Sequence, residues 1–322
     1  MQKKDMQAKD LSILIPARCE EFLSKTIEDI LSNSEADTEI IAVLDGAWTD
    51  PPIHQHPLVN VVYLPESIGQ RAATNLACRL SKAKYVMKCD AHTAWDKGFD
   101  RKMIEIMQDD WTAVPTMRNL HAFDWICECG FNHYQDKGEM CPQCGKKMEK
   151  KMIWQPRPGT RNWSYCFDSE PHFQYFREYG KRPETIAQGD LTETMSLQGS
   201  AFMLTREKYW ELNICSEEFG SWGSQGIEVA VKTWLSGGRV MVNHNTWYAH
   251  MFRTKAQNGF GFPYQLSGRQ VDGAKKKARE LFYEAKWNKA IHPLSWLIEK
   301  FAPVPGWSEE DINQLKALET KK

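Results

Sequence analysis

Four short apolar runs fall within the first ninety residues: Leu11 to Pro16, Glu39 to Leu44, Val59 to Leu64 and Ala83 to Lys88. Between them lie segments with helical spacing, Ser24 to Leu31 with Ile27, Ile30 and Leu31 in phase, and about Gly69 to Lys82. Strands and helices in this order predict a mainly parallel sheet with helices on both faces. In such a sheet the loops after the strands open onto one crevice, and ligands bind there. The second run ends in Asp45-Gly46 and the fourth in Cys89-Asp90-Ala91-His92-Thr93, so Asp45, Asp90 and His92 are expected at one edge. Side chains alternate along an extended backbone, so Asp90 and His92 point together and offer a carboxylate and an imidazole to one divalent cation. Taken alone, a D-x-H triplet also describes a turn aspartate and a hydrogen-bonded core histidine.

A chain of 322 residues can bury a full core, as one large domain with insertions or as two smaller ones. Its net charge of -1 gives no global pull toward nucleic acid or membrane. It has no run of about eighteen apolar residues, and Met1-Gln2-Lys3-Lys4-Asp5 lacks the apolar stretch of a secretory signal. A cytoplasmic protein without a membrane partner is therefore expected. Of nine cysteines, Cys19, Cys78, Cys89, Cys166 and Cys215 are scattered singly, as reduced thiols would be.

The alternation breaks from about His121 to Ser164, which reads as an insertion, and resumes with a strand over Met195 to Thr205 and a helix near Glu207 to Asn213. A glycine-rich loop, Phe219 to Gly226, opens a helix over Ile227 to Ser236 that stops at Gly237-Gly238 and leads into strand Arg239 to Val242. From Gly268 on the chain reads as helical, with Ser308-Glu309-Glu310-Asp311 as an N-terminal cap.

The order Ile15-Pro16-Ala17-Arg18-Cys19-Glu20, Asp45, Gly69-Gln70-Arg71 and Asp90-Ala91-His92 resembles the nucleotide-sugar half of the GT-A glycosyltransferases of family 2. The D-x-H form is similar to that of the polypeptide N-acetylgalactosaminyltransferases. Trp222-Gly223-Ser224-Gln225-Gly226-Ile227-Glu228 resembles their W-G-x-E-N-x-E segment, and Trp234-Leu235-Ser236-Gly237-Gly238 their W-x-x-G-G. His250-Met251-Phe252-Arg253 resembles their H-x-F-R, whose histidine is the third metal ligand.

This resemblance implies an α/β chain of GT-A (Rossmann-like) fold: a nucleotide-sugar half over 10–120, an insertion over 121–165, an acceptor-side half over 166–265 and a helical extension over 266–322. It implies an enzyme that moves a sugar from a nucleoside-diphosphate sugar to a hydroxyl of a large acceptor. Asp90, His92 and His250 would hold Mn²⁺ or Mg²⁺, since a carboxylate with two imidazoles suits such ions better than Ca²⁺. Asp45 would accept from the nucleobase or ribose, and Ala17, Glu20, Arg71, Arg253 and Trp222 would complete the donor side. Trp247 is a second ring that could stack on a sugar. Glu228, opening a helix after the glycine loop, is the candidate acid or base. Gln225 and Gly226 depart from the family's glutamate and asparagine, so sugar recognition is expected to differ, and retention or inversion stays open.

Inside the insertion, Cys127-Glu128-Cys129 and Cys141-Pro142-Gln143-Cys144 have the pattern of a zinc ribbon, in which a structural Zn²⁺ replaces the core that so short a segment cannot build. One pair is C-x-C, so His133 is an alternative ligand. Lys146, Lys147, Lys150, Lys151, Arg157 and Arg161 interleave with Trp154 and Trp163, either a surface for nucleic acid or a solvated basic face. Three readings follow: transfer to a hydroxymethylated base in DNA, transfer to a glycan or protein, or a nucleic-acid-binding protein built on an inactive transferase-like scaffold. Oligomeric state is not legible.

Overall fold

The computed structural model describes residues 8–253, 261 and 268–320. The N-terminal half runs β1 (Leu11–Ala17), α1 (Leu23–Asn33), β2 (Thr38–Asp45), β3 (Val59–Leu64), α2 (Gln70–Leu80), β4 (Tyr85–Cys89), β5 (Thr93–Trp95) and α3 (Phe99–Ile106). Next come β6 (Trp111–Ile126), β7 (Asn132–Tyr134), β8 (Glu149–Pro156), β9 (Tyr165–Phe167), β10 (Phe173–Tyr175) and α4 (Pro183–Ile186). The remainder is β11 (Leu191–Glu193), β12 (Ala201–Thr205), α5 (Arg206–Glu211), α6 (Gln225–Leu235), β13 (Arg239–His250), α7 (Gly268–Ala278), α8 (Leu294–Lys300) and α9 (Glu309–Glu319).

The main sheet has the order β11-β13-β6-β12-β4-β1-β2-β3. As predicted, β3, β2, β1 and β4 are mutually parallel, and β13 is parallel to β6; β12 enters antiparallel between β4 and β6. Every position of β1 is buried, because helices cover both faces. Leu11, Ile13 and Ile15 join one apolar core with Ile27 and Ile30 of α1 and Phe99 and Met103 of α3. Leu14 joins a second core on the opposite face, with Ala73 and Ala77 of α2, most of α6, and residues of α7 to α9. The C-terminal helices thus pack on the same core as the sheet, and Ser308 and Asp311 form the expected capping box at α9. Residues 254–260 and 262–267, which include the expected boundary at 265/266, lie outside the described residues. Among the described residues no helix is long and apolar enough to cross a membrane.

Three elements differ from expectation. The strand predicted over 195–205 is confined to β12, and residues 197–200 are instead a loop beside the cleft. β13 continues past Val242 to His250, with a bulge between Asn243 and Trp247 that resets its pairing with β6. Its polar stretch Asn243-His244-Asn245-Thr246 hid this continuation. The 120/121 boundary falls inside β6, whose first half pairs with β12 and β13 and whose second half pairs with β7 and β8. The cysteine-bearing insertion is therefore an outgrowth of a main-sheet strand.

Candidate metal and donor site

A cleft of about 620 Å³ opens where β1, β2 and β4 end, and Ala17, Asp45 and Asp90 line it. On its other side, β13 pairs antiparallel with β5, setting His250 opposite Thr93 and so beside His92. Asp90, His92 and His250, separated by up to 160 residues, each offer one ligand atom within 4.8 Å of the others. The Nε2 of His250 is 3.2 Å from Asp90 Oδ2, and the two imidazole rings are 4.9 Å apart.

Electrostatics hold Asp90 and His250 in the forms that bind cations. Burial alone would raise Asp90, but the Lys88 ammonium and then the His250 hydrogen bond keep its carboxyl well below the usual carboxylate range. Burial pushes the His250 imidazole down to about 4, against the opposing hydrogen bond to Asp90, so the ring is neutral at neutral pH. The His250 Nδ1 is buried without a hydrogen-bond partner among the described residues. Glu20 lies 3.1 Å from Nδ1 of His92 and ion-pairs with Arg253 at 2.6 Å. A carboxylate on Nδ1 fixes the tautomer whose Nε2 carries the lone pair, the usual support of a metal-ligating histidine. One carboxylate and two imidazoles, with a buried nitrogen lacking a partner among the described residues, fit a borderline divalent ion such as Mn²⁺.

Lys88 is the functional residue that the sequence reading passed over. It is 1 % exposed, binds Asp90 Oδ1, and donates to the Gly199 carbonyl at 2.7 Å. Its signal was available: it sits two residues before Asp90 on the same strand face, a lone charge in a buried run.

The other expected donor-side residues divide. Glu20, Arg253 and Trp222 line the cleft with Ala17 and Asp45. Asp45 is 2 % exposed, and its oxygens accept from Ile68 N–H (2.6 Å), Gly69 N–H (3.0 Å) and the Ser67 hydroxyl (2.8 Å), so it also fixes the loop that enters α2. Arg71 does not face the cleft. It is buried, ion-paired to Glu228, and donates to the Gly223 carbonyl at 2.5 Å. Glu228 likewise turns inward, which corrects its assignment as acid or base at the acceptor. One oxygen is taken by Arg71; the other accepts from Lys232 (2.7 Å) and from the Ser216 N–H (2.8 Å). A fully buried carboxylate between two cations can fix the glycine loop but cannot reach a substrate hydroxyl. Trp247 packs under Arg118 and lies outside the cleft lining.

The departure at Gly226 has a steric cause. A Cβ there would stand 1.9 Å from the Leu197 carbonyl oxygen, so no side chain fits where the 197–199 loop crosses the start of α6. Gln225 spends its amide nitrogen on the Cys215 sulfur, at 3.2 Å.

In the ribbon, Cys127, Cys129, Cys141 and Cys144 converge, with Sγ–Sγ distances of 3.4 Å (Cys127 to Cys144) and 3.6 Å (Cys129 to Cys141). These are far too long for disulfides and close to the roughly 3.8 Å edge of a tetrahedral Zn–S₄ unit. Each pair sits on a turn in which a glycine N–H returns to the first cysteine's carbonyl, Gly130 to Cys127 and Gly145 to Cys141. Burial would raise Cys141, yet N–H bonds from Cys144 and Gln143 bring it down to about 6. Cys127, which a bond from the Cys129 N–H would lower, is pushed up to about 12 by burial and by its thiol neighbours. Four thiol groups converging this closely can give up protons to a metal. His133 is not part of it; its ring packs on Phe131.

The basic side chains flanking the ribbon are exposed, but several of them already have partners within the chain. Lys150 pairs with Glu21 and lies over the rings of Phe22, Phe123 and Trp125, at 5.6, 4.9 and 5.5 Å. Trp154 packs on Phe22 at 5.7 Å, while Lys146 and Lys147 face Glu128 and Glu139. The open rings and unpaired cations that a nucleic-acid acceptor requires are missing at these four positions.

Residues 12–125 match the family described as "Glycosyl transferase family 2". The chain is similar to human "Polypeptide N-acetylgalactosaminyltransferase 3", 24 % identical over 83 % of this chain and 41 % of that protein. It is also similar to "Putative polypeptide N-acetylgalactosaminyltransferase 13" of Drosophila melanogaster, 28 % identical over 86 % of this chain and 46 % of that one. The chain thus spans less than half the length of these relatives. Among solved structures, "Crystal structure of GalNAc-T7 with UDP, GalNAc and Mn2+" superposes with a TM-score of 0.61 at 13 % identity, covering 98 % of this chain and 55 % of that one. The fold is GT-A.

Proposed function

We propose that this chain, a GT-A protein with a family 2 glycosyltransferase segment over residues 12–125, transfers a sugar from a nucleoside-diphosphate sugar to a hydroxyl of a protein or glycan. The observation that carries the reading is the convergence of Asp90, His92 and His250 at the end of the parallel strands, on the rim of a cleft large enough for a nucleotide sugar. A UDP-sugar with Mn²⁺ is the pairing favoured by the GalNAc-T7 structure, which was solved with UDP, GalNAc and Mn²⁺. A divalent cation bound by the three side chains would supply charge stabilisation for the departing diphosphate.

The protein's own groups prepare that site. Glu20 orients His92, and Lys88 fixes one oxygen of Asp90 while tying the 197–200 loop to it. Arg71 and Glu228 hold the 223 loop from beneath, and Asp45 holds the loop into α2. A protein or glycan acceptor is preferred over DNA because Lys150 and Trp154 serve internal packing. The four cysteines are proposed to bind a structural Zn²⁺, closed to substrate because all four positions would be filled.

The test is nucleoside-diphosphate release. Purified protein with Mn²⁺ is expected to hydrolyse at least one common UDP-sugar slowly, and Asp90→Ala to abolish the release. Absence of hydrolysis with any common sugar nucleotide, together with no effect of Asp90→Ala on Mn²⁺ binding, would leave an inactive scaffold as the better reading.

A further inference from the structure

A second cavity, of about 240 Å³, lies apart from the donor cleft, between residues 161–164 and 175–181. Arg161, Arg177 and Lys181 surround it, Trp163 and Tyr175 wall it, and no carboxylate is among its described lining residues. Three features mark it as built. Trp163 is wedged between His244, whose ring it meets edge-on at 4.8 Å, and Gly180, where a Cβ would stand 2.7 Å from the indole. Arg161 donates to Nδ1 of His244 at 3.1 Å, while Nε2 lies 2.8 Å from the Thr192 hydroxyl. Burial first, and then the Arg161 charge, push His244 down to about 4, so the ring stays neutral and accepts from the guanidinium at neutral pH. Finally, Ser164 lines the cavity, is 6 % exposed, and has a buried hydroxyl with no hydrogen-bond partner among the described residues. A buried hydroxyl without a partner is costly, and a ligand oxygen would satisfy it.

The cavity is joined to the donor cleft by one strand. Phe173 of β10 lines the cleft and Tyr175 lines the cavity, two residues or about 7 Å further on. Both rings pack on Tyr165, at 5.1 and 5.6 Å. Arg177 lies over the Tyr175 ring at 5.7 Å, and Lys181 is partnered by Glu178 at 2.7 Å, leaving Arg161 and Arg177 as the principal cations. Guanidinium groups bind carboxylates through paired N–H donors, and flat aromatic walls suit the apolar face of a ring. The combination selects a small ring bearing an anionic group.

Resting on the transferase reading above, we propose that this cavity is an acceptor subsite for an acidic sugar residue, its carboxylate held by Arg161 and Arg177, its ring against Trp163 and Tyr175, and a ring oxygen on Ser164.

Binding can be measured on the full chain without donor, by Trp fluorescence and calorimetry, using a glucuronic-acid-containing disaccharide, its carboxyl-reduced counterpart, inorganic phosphate and a tetraglutamate peptide. The acidic disaccharide is expected to bind at least tenfold more tightly than the reduced form, to be displaced only weakly by phosphate, and to lose at least tenfold in Arg161→Ala and Arg177→Ala and about threefold in Ser164→Ala. Equal binding of acidic and reduced disaccharides, tighter binding of tetraglutamate, or retention of affinity in both arginine variants would overturn the proposal. UDP with Mn²⁺ should bind all three variants as it binds the parent. If it binds none of the proteins, the donor reading fails; if it binds normally while the disaccharide does not, only the subsite fails.

Discussion

Arg71 and Glu228 are ion-paired inside the protein, with side chains 1 % and 0 % exposed, and between them they connect α2 to α6. Removing one member of such a pair leaves a buried charge uncompensated, at a cost of about 3–5 kcal/mol. Glu228→Gln is therefore expected to lower the melting temperature substantially. An unchanged melting temperature with a displaced pH–rate profile would instead return Glu228 to the reaction.

Glu20 supports His92 from behind, and outer groups of this kind are worth about 10–100-fold in metal affinity. Glu20→Gln is expected to weaken Mn²⁺ binding by that factor in a titration followed by electron paramagnetic resonance. Unaltered affinity would show that Glu20 serves Arg253 alone.

Lys88 neutralises Asp90 when no cation is bound. Lys88→Met leaves that carboxylate with only the His250 ring and a long bond from the Gln70 amide, so the variant should melt below the parent without metal and gain more from added Mn²⁺ than the parent does. Equal Mn²⁺-induced shifts in parent and variant would contradict this role.

One zinc per chain is expected by elemental analysis, removable by a strong chelator and lost in Cys129→Ser. Its removal should expose the amides of Glu149–Pro156 to hydrogen exchange well before those of Leu11–Ala17, because a ribbon of this size has little apolar core of its own. Full zinc retention in Cys129→Ser would exclude the four-cysteine site.

Burial raises Asp29 from 3.8 to about 6, although it accepts the Trp95 N–H at 2.7 Å. A carboxyl raised on folding contributes stability that is complete below pH 3.8 and lost as pH climbs through 6. Asparagine can accept the same N–H without ionising. Relative to pH 4, Asp29→Asn should gain on the order of 2 kcal/mol over the parent at pH 7.5 in thermal or urea melts. Parallel stability curves for the two proteins would refute it.

The parallel half of the sheet could be read from sequence because each strand is a compact apolar run ending in a polar residue, and Asp90 with His92 followed from strand alternation. His250 came from its motif, since no local pattern announces that a bulged strand will end beside residue 92. What escaped was inward-facing charge. Lys88, Arg71 and Glu228 all look like surface residues by type, and only the partners that tertiary structure brings to them decide otherwise. The same holds for Trp154, whose basic neighbours suggested an open surface while Phe22, far away in sequence, supplied its packing.

The passage of β6 from the main sheet into the ribbon without a break has a mechanical consequence. Two bodies joined by a shared strand cannot swing about a linker, so the thiol cluster and the carboxylate–histidine centre keep a set distance and orientation. Whatever rests on the ribbon is presented to the cleft like work clamped in a jig.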